Sequence, residues 1–317
     1  MTGQDGCIAM EAPGTIAVLV MAYGGPGRIE DVEPYILDVR NHRPTPRAVL
    51  DEMRSRYLAI GGRSPILERT RAQAIALGAA LRDAGTPLPV YLAMRHWHPY
   101  IAAACERMRG DGIKEVIGVV MAAHYSHLSV GAYFGRLAEA AGGIAVRPVE
   151  SWHLLPEYID TVESLVHDAL DSFPQERRSS VHLLFTAHSL PERALTDDDP
   201  YPVQLKQTVA AVAARFSGQP HSFAYQSAAM TSDVWLGPDA GDVMQTLAET
   251  NCSSILFVPI GFTSEHIEIL FDIDIEYARI AQRLGLEMRR IRMMNEHPHL
   301  MGGLARRVIE EIAAVAH

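Results

Sequence analysis

The sequence predicts an α/β protein of two four-stranded parallel sheets flanked by helices, in halves spanning residues 1–151 and 152–317. Three observations lead there. Apolar runs of strand length alternate with longer amphipathic segments along the chain, the pattern of a parallel sheet wound with helices. These runs fall into two sets of four. The first run of each set also leaves through a similar stretch: Val20–Pro26 (VMAYGGP) and Phe185–Pro191 (FTAHSLP) align Ala22 with Ala187, Tyr23 with His188 and Pro26 with Pro191.

Taken in order, strands are expected near Ile16–Met21, Val90–Ala93, Glu115–Val120 and Ile144–Pro148, then near Val181–Thr186, Ser222–Tyr225, Ser254–Pro259 and Glu287–Ile291. Helices are expected over Ala72–Ala84, Tyr100–Arg109, Ala132–Ala140, Pro156–Ser172, Pro202–Ser217, Asp239–Glu249 and Leu304–Ala316. The join falls around Trp152–Pro156, with the last helix free to cross back over the first half.

Composition excludes several classes. A net charge of −10 over 317 residues, with no basic block, argues against a nucleic-acid binder. No uninterrupted apolar stretch reaches the length of a membrane span. The first fourteen residues show no charged segment followed by an apolar one, so no signal peptide is visible, and Met10 is an alternative start. Cys7, Cys105 and Cys252 are scattered without paired spacing, which fits a reducing cytoplasm and argues against a cysteine-ligated zinc or iron–sulfur site.

The chemistry concentrates in Phe257–Tyr277, FVPIGFTSEHIEILFDIDIEY. Glu268, Asp272 and Glu276 recur every four residues, so they share a helical face, with a drift that a π-type widening would reduce. A solvated acidic face is the ordinary explanation of such a row. The apolar Ile267, Ile269, Leu270 and Phe271 among them, and His266 beside them, favour instead a carboxylate track into a cleft, suited to a divalent cation or to protons. His188 follows an apolar run in a strand-to-loop turn. A lone histidine there is by default structural, but the strand-end position and the acidic helix point to a proton acceptor or metal ligand. Tyr23 holds the equivalent place in the first half, among small residues that leave room for a flat ligand. Gly24-Gly25-Pro26-Gly27 is no phosphate loop, so a nucleotide cofactor is discounted. Arg40, Arg43, Arg56 and the stretch Gly61–Pro65 with Arg63 read as loop-borne donors for carboxylates, Arg43 and Arg63 as solvated surface. His96, His98, His124 and His127 have no spacing that specifies a metal. Trp235–Pro238 reads as an aromatic turn that walls a pocket.

In these residues the chain resembles the ferrochelatases: MAYGGP, RYLAIGGRSPI (Arg56–Ile66), TAHSLP, DPYPVQL (Asp199–Leu205), YQS (Tyr225–Ser227), WLGP and VPIGFTSEHIEILFDIDIEY, in one order over nearly the whole chain. The resemblance implies two Rossmann-like halves around a porphyrin cleft, and insertion of Fe(II) as substrate. It implies that His188 and Glu268 form the inner catalytic, metal-contacting pair, that Asp272 and Glu276 continue a partly π-helical acidic track, and that Arg56 lies near its outer metal site. Tyr23 resembles the coproporphyrin III branch, where that tyrosine faces the histidine and ligates the inserted iron. Arg40, Ser64 and Tyr125, with Arg56, match that branch's propionate contacts. FTSEHIEILFDIDIEY and Met94-Arg95 read more like the protoporphyrin branch. The expectation is a cytoplasmic enzyme of haem biosynthesis without a tightly bound cofactor or iron–sulfur cluster, acting on a porphyrin and handing its product to a later enzyme of that route. The alternatives are a protoporphyrin IX ferrochelatase, a cobalt or nickel chelatase, and a porphyrin or haem carrier.

Overall fold

The computed structural model describes residues 14–196, 198–228, 233–250 and 252–314. Cys7, Met10, the stretch read for a signal segment (apart from Gly14) and the end of the last helix lie outside them. In the first half, β1 (Ile16–Ala22) pairs in parallel with β2 (Val90–Met94) and β3 (Glu115–Val120), and β4 (Ala145–Val149) adds to β3. In the second, β5 (His182–His188) lies between β6 (His221–Gln226) and β7 (Ser254–Pro259), and β8 (Glu287–Arg290) adds to β7. The orders, β2-β1-β3-β4 and β6-β5-β7-β8, are the same. The central strands are apolar on both faces because helices cover both: all six residues of β7 are buried. Pro148 is tolerated because β4 is an edge strand.

Two helices stand where the sequence reads as loop, α1 (Val32–Val39) and α2 (Arg47–Ala59). Arg56 is therefore helical, and Arg40 is the C-cap of α1. The pattern hides α2 because only Leu50 and Tyr57 of its thirteen residues are buried, too few for an apolar stripe. The next helix, α3 (Ile66–Asp83), begins six residues earlier than expected, directly after Pro65. Then follow α4 (Ile101–Gly110), α5 (Ala132–Ala140), α6 (Pro156–Leu170), α7 (Tyr201–Ala213), α8 (Ala240–Glu249), α9 (Ala278–Leu284) and α10 (Pro298–Ala313).

One core joins the halves. Val18 and Val20 of β1, Leu77 and Leu81 of α3, Tyr158 and Val162 of α6, Phe185 of β5 and Leu304 of α10 belong to a single apolar cluster. The last helix packs on both α3 and α6. A smaller cluster of Val32, Tyr35, Ile36, Leu50 and Tyr57 seats α1 and α2, and Ile267 of the second half packs against it. Both third strands lead into π-helical segments, His127–Gly131 after β3 and Glu268–Tyr277 after β7. The second is the widening expected for the acidic row.

Candidate active site

In each sheet the order reverses between the first and third strands, so a crevice opens beyond their carboxyl ends. Tyr23 follows β1, and His188 is the last residue of β5. Both line one cleft, with a cavity volume of about 290 Å³, walled also by Ser64, Arg95, Tyr133 and Glu268. Backbones approach closely there: a Cβ on Gly261 would lie 2.7 Å from the Ala187 Cβ, and one on Gly25 would lie 2.6 Å from that of Ser64.

His188 Nε2 stands 3.4 Å from Glu268 Oε1, and His266 Nε2 stands 3.5 Å from Glu268 Oε2. The His188 ring nitrogen Nδ1 bonds the Ser189 carbonyl, and the Tyr201 hydroxyl donates to the His188 carbonyl at 2.9 Å. Gln226 Nε2 donates to the Glu268 carbonyl at 3.1 Å, tying the start of the π-segment to β6. Burial opposes charge on His188. The Glu268 carboxylate, the Ser189 carbonyl and Asp272 outweigh it and raise the imidazole to about 9. Burial likewise opposes charge on Glu268, but His188 and His266 hold it well below the usual carboxylate range. The pair is thus an imidazolium and a carboxylate at neutral pH.

Further along the segment, Arg56 Nη1 donates to Asp272 Oδ1 at 3.3 Å, and Nη2 lies 3.6 Å from Glu276 Oε1. One guanidinium touching both shows that the row keeps to one side. Arg56 lies 4.8 Å over the Phe271 ring and is held by Glu52 at 2.8 Å. Burial and the charge of Glu268 push Asp272 up to about 7, with Glu276 adding, against the Ser227 hydroxyl and Arg56. Glu276 is 43 % exposed, so the row runs from the cleft to solvent.

On the facing wall Tyr23 keeps 39 % of its surface accessible, but that surface looks into the cleft, and burial pushes the phenol up to about 12. Its ring lies 4.6 Å from that of His96, whose Nδ1 is 2.8 Å from Asp38 Oδ1. Arg95 spans the Tyr23 and Tyr133 rings at 5.9 and 5.4 Å, and its Nη1 donates to the Leu128 carbonyl of the first π-segment at 3.0 Å.

The cleft therefore brings together Tyr23, Ser64, His188 and Glu268, while Arg56, Asp272 and Glu276 form an adjoining polar row. Arg40 and Tyr125 fall outside the lining. Arg40 is exposed, and the Tyr125 ring packs 5.4 Å from that of His127. Arg43 and Arg63 are exposed. Trp235 stands 6.4 Å, ring to ring, from His188. His124 lines the cleft, is driven down to about 3 by burial, then by His153, and so is neutral; His127 is exposed. Arg95, His96 and Tyr133 join the site without being marked in the sequence as candidates, and His266, beside the acidic row, contacts Glu268 directly. Arg95 and His96 directly follow the end of β2 and His266 lies seven residues past β7, a position that could have marked them, whereas Tyr133, on α5, has no such signal.

The ferrochelatase family profile matches residues 15–312. A ferrochelatase of Deinococcus radiodurans is 38 % identical over 307 residues, covering 95 % of this chain and 97 % of that protein. A coproporphyrin III ferrochelatase of Geobacillus thermodenitrificans is 35 % identical over 305 residues, covering 94 % and 96 %. Among solved structures, CbiX, described as the terminal enzyme of sirohaem biosynthesis in denitrifying bacteria, superposes with a TM-score of 0.54 at 16 % identity, covering 94 % of this chain and 98 % of that one. The sirohydrochlorin chelatase SirB of Bacillus subtilis subspecies spizizenii, in complex with cobalt, gives a TM-score of 0.51 at 11 % identity, covering 94 % and 95 %. These two likenesses establish the two-sheet α/β chelatase fold. The match over nearly the full length, with relatives well above 30 % identity, makes this chain a metal-chelating enzyme of the ferrochelatase family.

Proposed function

We propose that the enzyme inserts Fe(II) into coproporphyrin III, with His188 and Glu268 on one face of the macrocycle and Tyr23 on the other. The observation that carries this reading is that Tyr23 and His188, at equivalent strand ends of the two sheets, line one cleft with an ionised Glu268 beside His188. Metallation exchanges two pyrrole protons for one dication. A porphyrin bent between rigid walls presents its nitrogen lone pairs to the incoming ion, and the binding energy of its rim sustains the distortion. With the His188 imidazole raised and the Glu268 carboxyl lowered by their mutual pairing, the carboxylate of Glu268 is the free base of the pair at neutral pH. A dication arriving beside the pair lowers the proton affinity of both groups. The released protons leave towards Asp272, which exchanges near neutrality, and then Glu276, which meets solvent.

The preference for coproporphyrin III follows from the substrate's four propionates. Each carboxylate desolvated without a partner costs about 1–3 kcal/mol or more. This reading assigns to them Ser64 in the lining and, from the motif positions they share with that branch, Arg40, Arg56 and Tyr125, which lie outside it. The Geobacillus relative bearing that substrate's name supports it. Among the described residues no helix is long and apolar enough to cross a membrane. Anaerobic steady-state kinetics with Fe(II) and either coproporphyrin III or protoporphyrin IX test the assignment. The expected result is a higher kcat/KM for coproporphyrin III, reduced by Arg40→Ala. A preference for protoporphyrin IX in detergent, indifferent to that substitution, would move the substrate to the two-propionate porphyrin. Binding without turnover of either would leave only a carrier.

A further inference from the structure

The third strands leave their sheets through turns that cross to the opposite half, and they do so reciprocally. Four residues past the end of β3 stands His124, and four past the end of β7 stands Thr263. Both are buried and both line the cleft. His124 Nε2 lies 2.9 Å from Thr208 Oγ1 on α7, while Thr263 Oγ1 accepts from Gln73 Nε2 on α3 at 3.4 Å. Thr208 is the eighth residue of α7 (counting from 201) and Gln73 the eighth of α3 (counting from 66). One turn earlier the correspondence repeats. Gln204, fourth in α7, accepts from the Tyr125 amide at 2.7 Å, and Arg69, fourth in α3, pairs with Glu265 at 3.0 Å.

The two helices occupy equivalent places, α3 between β1 and β2 and α7 between β5 and β6. Each half therefore anchors the turn that walls the other half's side of the cleft. Gln73 and Thr208 are both wholly buried, and both also bind backbone: Gln73 Nε2 donates to the Asn295 carbonyl at 3.2 Å, Thr208 Oγ1 to that of His153 at 3.0 Å. Apolar side chains of similar size would fill these places at no desolvation cost, but they would let the walls slide. Directional bonds between buried groups fix a separation.

We propose that Gln73 and Thr208 are positioning residues, two reciprocal clasps that set the gap between the Tyr23 wall and the His188 wall so that the cleft bends its porphyrin rather than closing on it. The proposal rests on the ferrochelatase reading, and wild-type turnover in the same assay tests that reading separately. The variants are Gln73→Leu, Thr208→Val and Thr208→Ser. The readouts are kcat and KM for metal-free coproporphyrin III with Fe(II), the out-of-plane resonance Raman bands of the bound metal-free porphyrin, and Tm. In Gln73→Leu and Thr208→Val, kcat is expected to fall about tenfold or more with little change in porphyrin KM, because misplacing the walls by a fraction of an ångström acts on the reacting geometry. The out-of-plane bands weaken in parallel, and Thr208→Ser restores both. Unchanged kcat and bands in either variant, whatever its Tm, would overturn the proposal, as would a Thr208→Ser as impaired as Thr208→Val. If Gln73→Leu does not fold, the two Thr208 variants decide alone.

Discussion

His188 and Glu268 meet as an ion pair, Nε2 to Oε1 at 3.4 Å, although one ends β5 and the other opens the π-segment after β7. Adjacent strands of one sheet deliver them. Replacing either should stop metal insertion without emptying the cleft. His188→Ala and Glu268→Gln are each expected to lower kcat by about 100-fold or more, the usual scale for a lost proton-transfer group. Fluorescence quenching should still report porphyrin binding. Near-normal turnover in His188→Ala would reduce that residue to a structural role.

The pair also makes stability depend on pH in a defined sense. His188 is raised from 6.5 to about 9, so its stabilisation is complete below 6.5 and is lost as pH rises through about 9. Glu268 is depressed below its ordinary 4.5, so its contribution is present above 4.5 and is lost as pH falls through the lower folded value. The two overlap fully between about 4.5 and 6.5. The Tm deficit of Glu268→Gln should therefore be largest in that window and shrink towards alkaline pH. Thermal melts across the range check this, and a deficit that grows above pH 9 would contradict the ion-pair assignment.

Asp272 has the opposite character from Glu268. A carboxyl raised to about 7 favours folding fully below 3.8 and loses that contribution as pH rises through 7. Asp272→Asn is thus expected to raise Tm by a few degrees at about pH 8, by less at about pH 5, and to change it little at about pH 4. In kinetics, Asp272→Asn and Glu276→Gln should mainly raise the KM for Fe(II) several-fold, whereas Glu268→Gln acts on kcat. Equal and mild effects at all three positions would favour a merely solvated acidic face.

Gly25 and Ser64 form a packing pair in the cleft wall. A methyl group at Gly25 would fall 2.6 Å from both Cβ and Oγ of Ser64, and the Ser64 amide is fixed to the Pro26 carbonyl at 2.9 Å. Gly25→Ala should destabilise by about 1–3 kcal/mol, the usual cost of overpacking. Adding Ser64→Gly should recover much of that loss. Chemical denaturation of the single and double variants measures the coupling, and simple additivity would mean that the wall yields elsewhere.

Legible along the chain are both sheets, the equivalence of Tyr23 and His188, and the acidic row, whose drift a π-type widening would reduce. Each is written in short-range periodicity or in a turn that follows a strand directly, so neighbouring residues suffice. The chain also carries His188, Glu268, Asp272 and Glu276 in motifs. Other features depend on contacts between residues far apart in the chain. The helices α1 and α2 bury too few side chains to show a stripe, and only their packing on Trp97 and Ile267 reveals them. Arg56 reads as one loop cation among several until the fold sets it between Asp272 and Glu276, 216 and 220 residues away by number (272 − 56 and 276 − 56). Tyr133 enters the cleft while Tyr125, nearer the strand end, does not, because the π-segment His127–Gly131 turns the chain between them. The clasps of Gln73 and Thr208 have no local signature at all. A buried amide or hydroxyl in a helix gains its meaning from the partner opposite, and the crossing of the two halves alone supplies that partner.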